Sequence, residues 1–229
     1  MTVLIYFITL ILGIIISSLQ MFPGPHGVIT LSDLMNVLYL NFNSFPLYGI
    51  DQASIQNVIV FTLITITLMN TVLREFKDLQ SFYGLLLYRK NIITSYTVLA
   101  KYHVLNAIKM MVMTFLFFVF MTLVYKSTLT TMLVTIFYLT RLTSLMLAIG
   151  LLFEAISIRF SENLVTSIFP YFMIMIMISM DYYSSISIVS FVGVLELELM
   201  RMILAFAFVL IAFGGSILIL KRSIYYDSI

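Results

Sequence analysis

The sequence predicts an all-α, polytopic membrane protein with six transmembrane helices, and three observations carry that prediction. Of the 229 residues, 62% are hydrophobic and 10% are charged, with a mean hydropathy of +1.13. Soluble domains run nearer ~45–50% apolar and ~25% charged, so a soluble surface could not be covered with so few ions. Six apolar stretches approach the ~20 residues that a helix needs to cross ~30 Å of hydrocarbon. None alternates apolar with polar residues as a membrane β-strand does. Residues 1–229 are therefore expected to form a single transmembrane domain in a lipid bilayer. A net charge of +2 gives no reason to expect a nucleic-acid partner.

The first span is expected over Val3–Met21. It lacks a basic leader and its apolar run exceeds a typical signal h-region, which reads as a retained helix. After it, "LSDLMNVLYLNF" places Leu31, Leu34, Met35, Leu38 and Phe42 on one helical face and Ser32, Asn36, Tyr39 and Asn43 on the other. That pattern predicts a short helix on the outer leaflet, N-capped by Ser32 and bracketed by Pro23, Pro25 and Pro46. The second span is Ala53–Leu73.

Between the second and third spans the composition changes. Eight of the 22 charged residues lie between Arg74 and Lys109. In Arg74–Asn91, the ions Arg74, Glu75, Lys77, Asp78, Arg89 and Lys90 run beside Phe76, Leu79, Phe82, Tyr83 and Leu86 at helical spacing. An inner connection of this length, about 30 residues, exceeds the usual few and reads as an amphipathic docking element for a cytoplasmic partner, or as an interfacial helix that only satisfies the charge rule.

The remaining spans are Val104–Tyr125, Leu129–Phe153, Leu164–Met180 and Met200–Leu220. Orientation follows from lysine and arginine, which favour the cytoplasmic side. With the Arg74–Lys101 connection inside, nine bases collect there: Arg74, Lys77, Arg89, Lys90, Lys101, Lys109, Arg159, Lys221 and Arg222. The other side keeps Lys126 and, at the outer end of the sixth span, Arg201, with the acids Asp33, Asp51, Asp181, Glu196 and Glu198. Both termini fall inside. The segment Asp181–Met200 is apolar but too short to cross and return, so a re-entrant hairpin dipping into the outer leaflet is expected.

Two intramembrane ions stand out. Arg141 lies mid-span in "FYLTRLTSL", where a base is costly unless paired or hydrated, and so marks either a structural pair or a transport path. Glu154 is thirteen residues on, about 20 Å along an ideal helix, and cannot be its direct partner. Asp181 or Glu196 could reach Arg141 only if the hairpin dips deeply. Glu198 and Arg201, three apart, can pair on one helical face at a solvated helix end. With Asp181 and Glu196 they are the candidate outer-gate residues. The methionines of "YFMIMIMISM" put Met173, Met177 and Met180 on one adaptable face, and Ala212 and Ser216 form a small-residue face suited to close helix packing.

Enzymatic readings fail at the residue level. There is no cysteine, and His26 and His103 lie on opposite sides of the membrane. Phosphate-loop and nucleophile-elbow motifs are missing from the sequence. "EAISIR", Glu154 to Arg159, lacks the second glutamate and the downstream histidine of a CAAX-type intramembrane protease.

The stretches Arg74–Lys101 and Asp181–Met200, with six spans and both ends inside, resemble the membrane subunit of ABC-2-type ABC exporters, here a small, divergent bacterial member. The resemblance implies that Arg74, Glu75, Lys77, Asp78, Phe82, Tyr83, Arg89 and Lys90 form a coupling segment docking on a separate cytoplasmic ATP-binding subunit, which would hold ATP and Mg while this chain binds no cofactor. It also implies a homodimer or a heterodimer with a related permease, in the bacterial cytoplasmic membrane, exporting an amphipathic or apolar substrate such as a peptide. The hairpin would line the outer end of the path. A non-transporting accessory or immunity protein that binds a peptide or stabilises a membrane complex is the other reading of the same residues.

Overall fold

The computed structural model describes residues 2–21, 29–43, 55–72, 92–160, 163–184, 187–191 and 194–226. Among them are seven helices and no strand: α1 Thr2–Gln20, α2 Leu31–Leu38, α3 Ile55–Val72, α4 Ile92–Met121, α5 Leu129–Phe160, α6 Asn163–Ser184 and α7 Leu195–Tyr226. Five of these, α1, α3, α4, α5 and α7, are long and apolar enough to cross a membrane. Helix α6 is 22 residues long and contains Pro170, and the apolar stretch described in it is Ile168–Tyr183.

The bundle is organised around α5. It packs against α2, α3, α4, α6 and, most extensively, α7. Every residue from Arg141 to Leu151 is buried. About 72% of the apolar stretch of α5 is inside the protein, against 22% in α4 and α7. The outer helices turn one face inward and expose large apolar side chains on the other. In α1, Tyr6, Leu10, Gly13, Ile14 and Ser17 are buried while Leu4, Ile8, Ile11, Leu12 and Ile15 face outward. An apolar exterior of this kind is the mark of a lipid-facing surface.

Gly13 sets how closely α1 lies on its neighbours. A Cβ there would come within 2.9 Å of Val60 Cγ1 and 3.0 Å of both Ile64 Cδ1 and Leu38 Cδ1. Tyr6 and Ser18 fasten the same helix to α4 and its C-terminal turn, through Thr114 Oγ1 at 3.0 Å and the Tyr125 hydroxyl at 2.7 Å.

Helix α2 corrects the expectation of a helix resting on a leaflet. Leu31, Leu34, Met35, Val37 and Leu38 are all buried, as are Tyr39 and Leu40 beyond its end. The apolar face of the helix packs on α1, α3 and α5, while Ser32, Asp33 and Asn36 are half-buried. Its N-cap is Thr30 rather than Ser32. The Thr30 Oγ1 accepts from the Asp33 amide at 3.2 Å, and Asp33 Oδ2 accepts from the Thr30 amide at 2.9 Å, a reciprocal capping box. At the other end Leu40 takes the left-handed conformation, φ 57°, while the Asn41 amide donates to the Asn36 carbonyl at 2.7 Å. This is the helix-terminating hydrogen bond usually built on glycine. A fully buried leucine holds it instead.

Two main-chain bonds fix α2 to neighbouring connections. The Leu31 amide donates to the Lys126 carbonyl at 2.8 Å, and the Phe191 amide to the Tyr39 carbonyl at 2.7 Å. The C-terminus of α1, helix α2, the α4–α5 turn and the α6–α7 connection therefore share one end of the bundle. The third span expected from Val104 is part of a longer helix beginning at Ile92, so the run before His103 is helical. The helices α5 and α7 likewise extend past the expected Phe153 and ahead of the expected Met200. The expected coupling segment, Arg74 to Lys90, and the flanking prolines Pro23, Pro25 and Pro46 lie outside the described residues.

Candidate functional site

Arg141 sits twelve residues into α5, about 18 Å along the helix from Leu129. It is 1% exposed. Its Nη1 donates to Glu198 Oε1 at 2.7 Å and its Nη2 to the Ser190 carbonyl at 2.5 Å. The guanidinium carbon lies 5.1 Å from the centre of the Tyr138 ring, one turn earlier on α5, in a cation–π contact. The partner missing from the sequence reading is thus Glu198. That residue is fully buried, which corrects its expected place at a solvated helix end paired with Arg201. Glu196, two residues earlier, is exposed and does not reach Arg141.

The connection between α6 and α7 is what delivers these groups. Asp181, near the end of α6, accepts three main-chain N–H bonds, from Ile188 at 2.6 Å and from Val189 and Ser190 at 2.8 Å each. Three donors on one buried carboxylate fold the connection back on itself and turn the Ser190 carbonyl toward Arg141. Tyr138 locks the same segment by donating to the Val189 carbonyl at 3.1 Å. Phe191 packs edge-on against Tyr138, and Tyr138 against Tyr39 at the end of α2. Asp181 therefore acts on Arg141 through the backbone and not as its ion-pair partner.

Beside the pair is a cleft of about 380 Å³. Arg141 and Arg201 supply its polar lining with Ser187. Leu145, Met177, Leu204, Ala205 and Phe208 are among its apolar walls. Leu197, Met200 and Leu204 are exposed on α7, so the cleft opens sideways, toward the apolar exterior. Of the methionine face expected in α6, Met177 lines the cleft, while Met173 and Met180 are exposed. Ala212 and Ser216 face α5, where Ser216 Oγ lies 3.2 Å from the Leu151 carbonyl. The small-residue face serves packing inside this chain.

A second polar node, about 20 Å along α5, answers Glu154. Glu154 Oε1 lies 3.0 Å from His103 Nε2, with both residues buried. His103 Nδ1 is 3.3 Å from the Val72 carbonyl at the end of α3. A carbonyl can only accept, so Nδ1 donates in that bond and Nε2 faces the Glu154 carboxyl group. His103, expected just ahead of the third span, is an interior residue of α4 joining α3 to α5. No group of three or more acidic or histidine side chains able to hold a metal occurs among the described residues.

The fold and its interior ion pairs define a multi-pass helical membrane protein with five long apolar helices. Compared with protein-family models, with curated proteins and with solved structures, the chain matches none.

Proposed function

We propose that this chain is the membrane-spanning permease subunit of an ABC-type exporter in a bacterial cytoplasmic membrane. In this reading α6 also crosses, as the fifth of six spans, both termini are cytoplasmic, and the α2 end of the bundle faces out. The chain performs no chemistry. It moves an amphipathic or apolar substrate, driven by a separate ATP-binding subunit that docks on Arg74–Lys90, and it works as a homodimer or with a related permease.

The observation that carries the reading is the Arg141–Glu198 pair. A buried ion pair costs desolvation and is weak evidence for stability alone, and an intramembrane cation is a functional candidate by default. Here it joins the central helix to the start of α7 beside a cleft that opens sideways. The charge cluster Arg74, Lys77, Arg89 and Lys90 supports an inner docking face. Purified from its native membranes in mild detergent, the chain should bring down an ATP-binding subunit. Charge reversal at those four bases should abolish that association and leave membrane insertion normal. Recovery of the chain alone, with a phenotype that survives the reversal, would instead support the accessory or immunity protein.

A further inference from the structure

We infer that the cleft between α5, α6 and α7 binds an amphiphile with one anionic head group, a carboxylate or phosphate, seated on Arg201 and Arg141 with its apolar chain along Met177, Leu204 and Phe208. The inference deepens the permease reading by naming a ligand class for the cleft, and rests on that reading only for the ligand's being moved. Binding itself needs no ATP-binding subunit.

Unmet hydrogen-bond donors at the site argue for an anion. Its formal charges balance, Arg141 and Arg201 against Glu198 and Asp181, but Glu198 Oε1 is taken by Arg141 and Asp181 by three backbone N–H groups. Among the described residues the ion pairs are Arg141–Glu198 and His103–Glu154, and neither includes Arg201. Arg201 Nη1 and Arg141 Nε are buried N–H donors that meet no acceptor among those residues. Both residues line the cleft. Buried donors without acceptors are costly, and a ligand oxyanion would satisfy them with charge-assisted bonds.

The shape argues for an apolar chain attached to that anion. Beyond the two arginines and Ser187 the walls are hydrocarbon and thioether, and the mouth lies among exposed apolar residues of α7. A small inorganic anion would leave those walls uncovered. Methionine at the wall, Met177 and Met200, adapts to chains of differing shape. A ligand entering sideways from lipid meets the apolar mouth first and the arginines last.

The test uses the full chain in phosphatidylcholine nanodiscs, with radiolabelled oleate, its neutral analogue oleyl alcohol, and phosphatidylglycerol as probes. Oleate or phosphatidylglycerol should bind saturably and about tenfold or more tighter than oleyl alcohol, the scale of one charge-assisted contact. Arg201→Gln should remove that preference, Arg201→Lys should keep most of it, and Ala205→Phe should block every probe by filling the cleft. Arg201 is partly exposed, so its variants should fold, and an unchanged melting temperature checks this. Preference for oleate alone would assign a single-chain acid, and preference for phosphatidylglycerol a bilayer lipid head group. Equal binding of charged and neutral probes would overturn the inference. So would an Arg201→Gln protein that binds as the parent does, or one whose only defect is loss of self-association.

Discussion

Glu198→Gln removes the carboxylate bonded to Arg141 and leaves a guanidinium 1% exposed in the middle of the bundle. Breaking one side of a buried pair typically costs about 3–5 kcal/mol, whereas replacing both sides by apolar groups is often neutral. Glu198→Gln, Glu198→Met and Arg141→Met should therefore each lower the melting temperature in detergent strongly, and Arg141→Met with Glu198→Met should recover most of the loss. Additive losses in that double-mutant cycle would mean that the pair has no coupling. The His103–Glu154 node behaves differently because one contact is at stake. Glu154→Gln keeps an oxygen and an amide within reach of His103 Nε2 and should be tolerated. Glu154→Leu leaves that ring nitrogen without its partner and should cost about 1–3 kcal/mol. Equal stability of the two variants would show that the carboxyl group contributes nothing through His103. Arg141 and Glu154 were legible in the sequence as costly ions, because a charge in an apolar run is a local anomaly. Their partners were not, since Glu198 is 57 residues from Arg141 and His103 is 51 from Glu154.

At the scale of helices, the close approach at Gly13 is the sharpest constraint. Gly13→Leu must displace Val60, Ile64 and Leu38, and overpacking of that kind costs about 1–3 kcal/mol. Gly13→Ala should cost less, because the atoms it meets are side-chain ends that can shift. Melting curves of the two variants check the order; a Leu variant as stable as the parent would refute the packing. Helix α2 shows why periodicity misled. The apolar face holds, but Tyr39, assigned to the polar face, lies wholly inside, edge-on to Phe61 and tilted against Tyr138. A tyrosine ring is mostly hydrocarbon, so its hydroxyl does not decide whether it faces water. The displaced N-cap has a similar origin. Ser32 and Thr30 are both competent caps by type, and the reciprocal bond with Asp33 selects the one three residues before it.

For the whole molecule, orientation is the proposal most open to a direct test. The chain has no cysteine, so each introduced thiol reports alone. Ser127→Cys, in the α4–α5 turn, should react with a membrane-impermeant maleimide in intact cells. Lys77→Cys should react only after the membrane is opened. The reverse pattern would invert the bundle and remove the docking proposal with it. What the sequence determined unaided was the solvent and the material: lipid outside, helices within, and an asymmetric distribution of bases. Those follow from hydropathy and charge, which are properties of short stretches and add up along the chain. Only the tertiary structure decided that α5 is the central helix, that α2 turns inward, and that Glu198 answers Arg141. In helices apolar on nearly every face, periodicity no longer separates the inside from the outside. Which residues meet is then settled by close packing and by the need of each buried ion for a counter-charge, and both are satisfied by groups far apart in the chain.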